Sequence, residues 1–430
     1  MAVASAGTAP VTVQSEGSGS YVLPMVLMVS LYFSIGFITA LNDILIPHFK
    51  LLFSLNNVHA LLVQFCFFGA YFVMSLPSGK IVSRIGYKTG IIVALSTMGV
   101  GLLLFVPASI VIYYPIFLLA LFVVGSGLAL LQVAINPYVG ALGKPETAAA
   151  RLNICGGLNS LATTIAPKVG AVFIFVAAGA TMSELARSVR VPYIILAAFA
   201  FLVAIITRFV HLPDLIEQPV EGSTGQGSAW RFVHLRLGAA AIFTYVGAEV
   251  AIGSILINFL GQPSMGSLSH AAAAVYVSLY WGGAMIGRFI GSFALLYIRA
   301  QRALAAVATS ALILVATTIF GHGHLAMWAI VSCGLFNSVM WPCIFPLSLK
   351  GLGRFTSQGS GILVMMVVGG AIIPEVQGFL ADKFGYQHSF IIVLLCYGYL
   401  IYFALSGHKI RQPRYSSLPD ESAGSFAPVG

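Results

Sequence analysis

Residues 22–48 read VLPMVLMVSLYFSIGFITALNDILIPH. From Val22 to Leu41 the run carries no charge, and about 20 such residues suffice to cross a hydrocarbon core of roughly 30 Å. That length makes a membrane-spanning helix the expected element. Asn42 and Asp43 interrupt it, ahead of Pro47. Ionisable groups inside membrane spans are rare, face polar cavities, and bind substrate or carry protons. Asp43 is therefore the first candidate for proton or substrate work, with Asn42 beside it as a substrate ligand. The plainer reading is a structural hydrogen bond at a helix end. About 20 residues into the span, or roughly 30 Å along it, Asp43 is placed nearer the outer mouth than the midplane.

The same kind of run recurs along all 430 residues. The chain is 59% hydrophobic and only 8% charged, against about 25% charged in a soluble domain. Twelve spans are expected, near 22–49, 57–77, 89–109, 113–140, 151–178, 191–211, 236–260, 269–296, 302–320, 324–348, 356–381 and 386–407. The fold class is all-α integral membrane, twelve transmembrane helices in two pseudo-symmetric six-helix bundles. Residues 1–20 read as a disordered tail, 21–211 as the N-terminal bundle and 212–234 as a linker rich in Gly and Ser. Residues 235–408 form the C-terminal bundle, and 409–430 a second tail.

A net charge of +9 does not indicate nucleic acid, because the basic residues lie between the apolar runs. Sixteen of the 21 lysines and arginines, from Lys80 and Arg84 to Arg288 and Arg414, are assigned to one side. The other five are Lys50, Lys168, Arg187, Arg190 and Lys383. The positive-inside rule then puts both termini in the cytoplasm. The five cysteines fall inside apolar runs without a CxxC pair, so neither disulfides nor a zinc site is indicated. A cleavable signal peptide is not expected, since the first 20 residues lack Lys and Arg.

The halves echo each other. Ile165-Ala166-Pro167-Lys168-Val169 matches Ile372-Ile373-Pro374-Glu375-Val376 at an offset of 207. Gly79-Lys80 matches Gly287-Arg288 at 208, and Leu142-Gly143-Lys144 matches Leu352-Gly353-Arg354 at 210. Anchors at nearly one offset in equivalent spans argue for a duplicated unit with a site at the repeat interface, the plan of a rocking transporter.

Chemistry-bearing residues within spans are few. Asp43, Glu249 and Glu375 are the acids well inside them, with Lys168 as the comparably placed base. Asp43 and Glu249 occupy equivalent spans and are the proton-coupling candidates. Lys168 and Glu375, each following a proline, form a candidate gating pair; snorkelling to the surface is the simpler reading. Gln132 and Asn136 share one face of the fourth span, and Asn337 and Trp341 are spaced the same way in the tenth. With Gln64, Asn159 and Asn42 they form a candidate sugar-binding set; Asn153 and Asn258 are further amides. Amides offer donor and acceptor together to vicinal hydroxyls, and an aromatic face suits the C–H face of a pyranose. Helix-to-helix hydrogen bonding is the alternative for any single amide. Gly79, Arg84 and Gly86 mark a tight conformational loop between spans 2 and 3. That loop is not a phosphate cradle, and no catalytic constellation is present.

This loop resembles the signature loop of the major facilitator superfamily, with Ser83 where an Asp is preferred. Leu41-Asn42-Asp43-Ile44-Leu45-Ile46-Pro47 is similar to the first-helix motif of the fucose–galactose–glucose proton symporter family. Gln132-Val133-Ala134-Ile135-Asn136-Pro137-Tyr138, Tyr245-Val246-Gly247-Ala248-Glu249-Val250-Ala251 and Trp281-Gly282-Gly283-Ala284-Met285-Ile286-Gly287-Arg288-Phe289 also match it. The resemblance implies a carrier moving a monosaccharide with a proton, with no cofactor beyond the proton gradient and no metal. It implies a monomer in a bacterial inner membrane, with the lipid bilayer as surroundings and no nucleic-acid partner. The fucose branch pairs an acid in helix 1 with one in helix 4; Asp43 matches the first, but Gln132 holds the second position and cannot titrate. In that respect the chain resembles the glucose/galactose branch. An uncoupled facilitator, an efflux antiporter and a sugar sensor are the other expectations.

Overall fold

The computed structural model describes residues 12–13, 21–55, 57–174, 181–216 and 227–410. In the first half α1 (Val22–Leu52), α2 (Asn57–Ile85), α3 (Tyr87–Leu103), α4 (Phe105–Val111) and α5 (Tyr114–Ala141) are followed by α6 (Ala148–Ile174), α7 (Met182–Ser188) and α8 (Arg190–Phe209). The second half begins with α9 (Val233–Leu260), α10 (His270–Tyr297), α11 (Ala300–Phe320), α12 (Gly323–Asn337) and α13 (Met340–Leu349). It ends with α14 (Thr356–Met365), α15 (Gly369–Phe384), α16 (Tyr386–Ser389) and α17 (Ile391–Tyr402). Thr12–Val13 pair antiparallel with Leu215–Ile216. The rest of the N-terminal tail, most of the linker and the C-terminal tail lie outside the described residues.

Among the described residues ten spans are long and apolar enough to cross a membrane, eleven when the bent pair α12–α13 counts as one. The remaining bundle helix is α6, 27 residues long, whose apolar sequence is interrupted by Arg151, Asn153, Asn159 and Lys168. These make up the twelve spans. Prolines set two of the breaks. Pro107 lacks the N–H that would bond Leu103 O, and α3 ends at Leu103. Pro342 likewise cannot bond Ser338 O, and the chain bends by 40° between α12 and α13. In the eleventh span a 3₁₀ turn at Met366–Val368 separates α14 from α15.

The repeat is visible in the packing. α1 packs on α6, α2 on α5, and α3 on both α5 and α8. At the corresponding places α9 packs on α15, α10 on α12, and α11 on α12 and α17. Across the interface, α2 meets α14 and α6 meets α10, which are equivalent contacts with the halves exchanged. The α2–α14 crossing is close: a Cβ on Gly79 would lie 2.8 Å from Ser357 O. Gly79 thus belongs to a helix contact rather than to the loop. Gly86, with φ 81°, makes the reversal into α3 in the left-handed region that favours glycine. We call the end of the bundle carrying this reversal, Arg299 and Lys350 the basic end, and the other the far end.

Candidate functional site

Between the halves lies a cavity of about 280 Å³. Its N-terminal wall carries Tyr32, Thr39, Tyr71, Gln132, Asn136 and Asn159, and its C-terminal wall Tyr245, Glu249, Arg288 and Trp341. The first wall is a hydrogen-bonded web of phenols and amides. Gln132 Nε2 donates to Tyr71 OH at 3.0 Å, Tyr32 OH donates to Asn136 Oδ1, and Asn159 Nδ2 donates to Tyr32 O at 2.9 Å. Asn136 is only 2% exposed, and its Nδ2 has no partner. A buried amide donor left unpaired is costly, and since this one is shut off from the cavity that Asn136 lines, a shift of the wall that lets a hydroxyl accept from it is favourable.

The second wall pairs an aromatic face with a charge cluster. Trp341 stacks on Phe345, with ring centres 5.5 Å apart. Glu249 is 8% exposed, and its carboxylate lies 3.9 Å from Arg288 Nη2. Tyr280 OH donates to Glu249 O at 2.9 Å and so fixes this turn of α9. Arg288 Nη1 crosses to α6, donating to Gly156 O at 3.1 Å and to Ser160 Oγ. Asn153 Nδ2 returns a bond to Arg288 O at 2.7 Å, and Ser360 Oγ donates to Val133 O at 2.8 Å. These bonds between the halves lie at the level of the cavity, and nearer the basic end α2 and α14 close on each other at Gly79 and Ser357.

Of the expected site residues, Gln132, Asn136, Asn159, Glu249 and Trp341 are brought together around this cavity. Position 43 lies one helical turn beyond Thr39 on the stripe 32, 36, 39 of α1; the side chains of Asn42, Asp43 and Gln64 lie outside the described residues. Arg84 is exposed at the basic end.

Four expectations need correction. Asn337 is not a cavity residue: it is fully buried, donating to Tyr280 OH at 2.8 Å and accepting from Tyr397 OH at 2.7 Å. The break ahead of Pro342 turns α13 away from α12, so Asn337 and Trp341 do not share a face. Lys168 and Glu375 are both exposed and make no ion pair; among the described residues Arg288–Glu249 is the one ion pair. Lys168 is also not the base set inside the bundle. That base is Arg288, counted from the sequence as a charge at the basic end.

Tyr32, Tyr71, Tyr245 and Ser160 were not singled out from the sequence. Tyrosines and serines in apolar runs read equally as packing residues. A signal for Arg288 was available, since it falls eight positions before the end of the expected eighth span. Among the described residues no group of His, Cys, Asp or Glu is placed to hold a metal.

Two bundles related by a repeat and packed around a central cavity lined by amides, phenols and an ion pair define the class. Residues 28–374 match the family model described as Major Facilitator Superfamily, and the chain belongs to that family. It is 50% identical over 402 residues to the glucose/galactose transporter of Brucella abortus, spanning 93% of this chain and 98% of that protein. The L-fucose-proton symporter of Escherichia coli is 33% identical over 410 residues, spanning 90% of this chain and 93% of that one. The crystal structure of the family member FucP in the outward conformation superposes with a TM-score of 0.82 at 32% identity, covering 90% and 99% of the two chains.

Proposed function

We propose that the protein is a proton-coupled monosaccharide symporter working by alternating access, taking a hexose such as glucose or galactose, or a fucose-like sugar. One observation carries the reading. Asn136, whose buried amide donor is unpaired, lines with Gln132 and Asn159 the same cavity as Trp341 and Glu249. Amides there bind hydroxyls, the indole covers the apolar face of the ring, and an acid in the same space loads and releases a proton. Asn42 and Gln64 extend the sugar-binding set, and Asp43, one turn beyond the cavity on α1, is the leading proton carrier, with Glu249 as the second acid. With the basic end cytoplasmic, as positive-inside charge requires, closure at that end makes the structure outward-facing. The names of the relatives support the same substrate class, and our reading is of a multi-pass monomer of the bacterial inner membrane.

Proteoliposomes test this directly. An imposed inward pH gradient is expected to drive accumulation of labelled glucose or galactose. Asp43→Asn is expected to abolish accumulation while sparing counterflow, which needs no net proton movement. Normal gradient-driven accumulation by Asp43→Asn removes Asp43 from coupling. Gln132, standing where the fucose branch has a titratable acid, favours the second reading, an uncoupled facilitator. In that case wild-type counterflow is brisk and a pH gradient drives no accumulation.

A further inference from the structure

Arg288 spans the seam between the two bundles. It belongs to α10, yet its Nη1 bonds Gly156 O at 3.1 Å and Ser160 Oγ on α6, while its Nη2 faces the Glu249 carboxylate on α9 at 3.9 Å. Its own carbonyl is held by Asn153 at 2.7 Å. One guanidinium therefore touches a titratable acid on one side and the partner bundle on the other. It does so where the halves must part for the basic end to open.

We propose that Arg288 is a positioning residue that converts the protonation state of Glu249 into closure of the basic end. The ionised carboxylate, 3.9 Å away and making no hydrogen bond to it, acts on the guanidinium as a counter-charge that lets Nη1 stay at Gly156 and Ser160. A proton on Glu249 removes that counter-charge. The guanidinium, left as an uncompensated cation beside a polar cavity, turns toward the cavity and gives up its bonds to α6. The basic end then opens. The direction suits symport, because the proton enters from the far end and its arrival weakens the contact that blocks the other exit.

The surroundings leave few competing charges. Tyr245 on α9, Tyr280 on α10, Tyr397 on α17 and Cys333 on α12 are the other titratable groups that interact around Glu249. All are acids that stay neutral near pH 7 by their ordinary values of about 8.5–10. α13 brings Trp341 to the same cavity, and α15 packs glycine against α9 through Gly369 and Gly370. Among the described residues Arg288 is the one charged partner of Glu249.

This inference rests on the reading of Glu249 as a proton carrier, and the test separates the two. Spin labels on Ser83 and Arg299, both exposed at the basic end on opposite halves, report its opening in the full-length protein in liposomes. Cys66, the half-buried native thiol, is replaced by Ser. Pulsed dipolar distances are read between pH 8 and pH 5. In the wild type the long-distance population is expected to grow as pH falls. Glu249→Gln is expected to show the low-pH distribution at every pH, a shift of about tenfold in the closed-to-open ratio at pH 8. Arg288→Gln should match it, and Ser160→Ala, which removes one acceptor and no charge, should shift the ratio less in the same direction. Unchanged pH dependence in Glu249→Gln, or a fully closed population in Ser160→Ala and Arg288→Gln, overturns the proposal even when pH-driven sugar uptake is intact. Absence of that uptake in the wild type overturns the symport reading instead.

Discussion

Asn136 and Asn337 have the same side chain and are both buried, yet their surroundings give them opposite work. Asn337 is saturated by Tyr280 and Tyr397, so it ties α10, α12 and α17 together. Asn136 has its carbonyl satisfied by Tyr32 and its buried amide left unpaired. Tyr280 keeps its bond to Glu249 O without Asn337, but the buried Tyr397 hydroxyl is left without an acceptor, at about 1–3 kcal/mol. Asn337→Leu is therefore expected to lower the thermal inactivation midpoint markedly while the sugar KM in counterflow stays within about twofold. Asn136→Ala should raise that KM about tenfold for a lost bond worth ~1.4 kcal/mol, and also lower the midpoint, because the buried Tyr32 hydroxyl loses its acceptor. A KM shift in the Asn337 variant contradicts the assignment. The two residues were indistinguishable in the sequence, where each pairs with a partner four positions away. Spacing of four fixes a shared face only along an unbroken helix, and the break ahead of Pro342 removes that condition for Asn337 and Trp341.

Helix ends show where pattern reading succeeds and where it stops. The spans were legible because apolar length is dictated by the bilayer, and the breaks at Pro107 and Pro342 follow from the missing N–H. The depth of Arg288 was not, because a base near a span end ordinarily belongs to the interface. Also unread was an inverted correspondence between Gly86-Tyr87-Lys88 and Gly385-Tyr386-Gln387. Both begin with a left-handed glycine, φ 81° and φ 83°. Lys88 Nζ donates to Val210 O at 2.9 Å and caps α8 at the basic end. Gln387 Nε2 donates to Thr318 O, Ile319 O and Gly321 O at 3.0, 3.1 and 2.7 Å, capping α11 at the far end. Removing the Gln387 amide strips partners from several terminal carbonyls, each worth ~1 kcal/mol. Gln387→Leu is thus expected to destabilise the C-terminal bundle by roughly 1–3 kcal/mol, seen as faster hydrogen exchange at the end of α11. Unaltered exchange there would show that water replaces the side chain without loss.

At the scale of the whole molecule, a duplicated bundle leaves one question that packing alone does not answer, namely which end faces the cytoplasm. The far and basic ends are built from equivalent helices, so shape is nearly neutral and charge decides. Moving Arg288 from the surface into the cavity reduces the basic-end count from sixteen to fifteen, against five elsewhere. The asymmetry survives, and the positive-inside rule depends on such loop charges rather than on net charge. Near that end α9, α13 and α17 are held together, with Tyr399 OH donating to Leu237 O at 2.9 Å and His234 Nε2 lying 2.8 Å from Lys350 O. The chain after α17 therefore leaves the bundle on the basic side. Alkaline phosphatase, which needs an oxidising compartment, is expected to be inactive when fused after Ile410 and active when fused after Gly321, at the far end. A fluorescent protein that matures only in the cytoplasm should give the opposite pattern. Activity of the phosphatase at Ile410 would invert the orientation and turn the outward-facing assignment of the cavity into an inward-facing one.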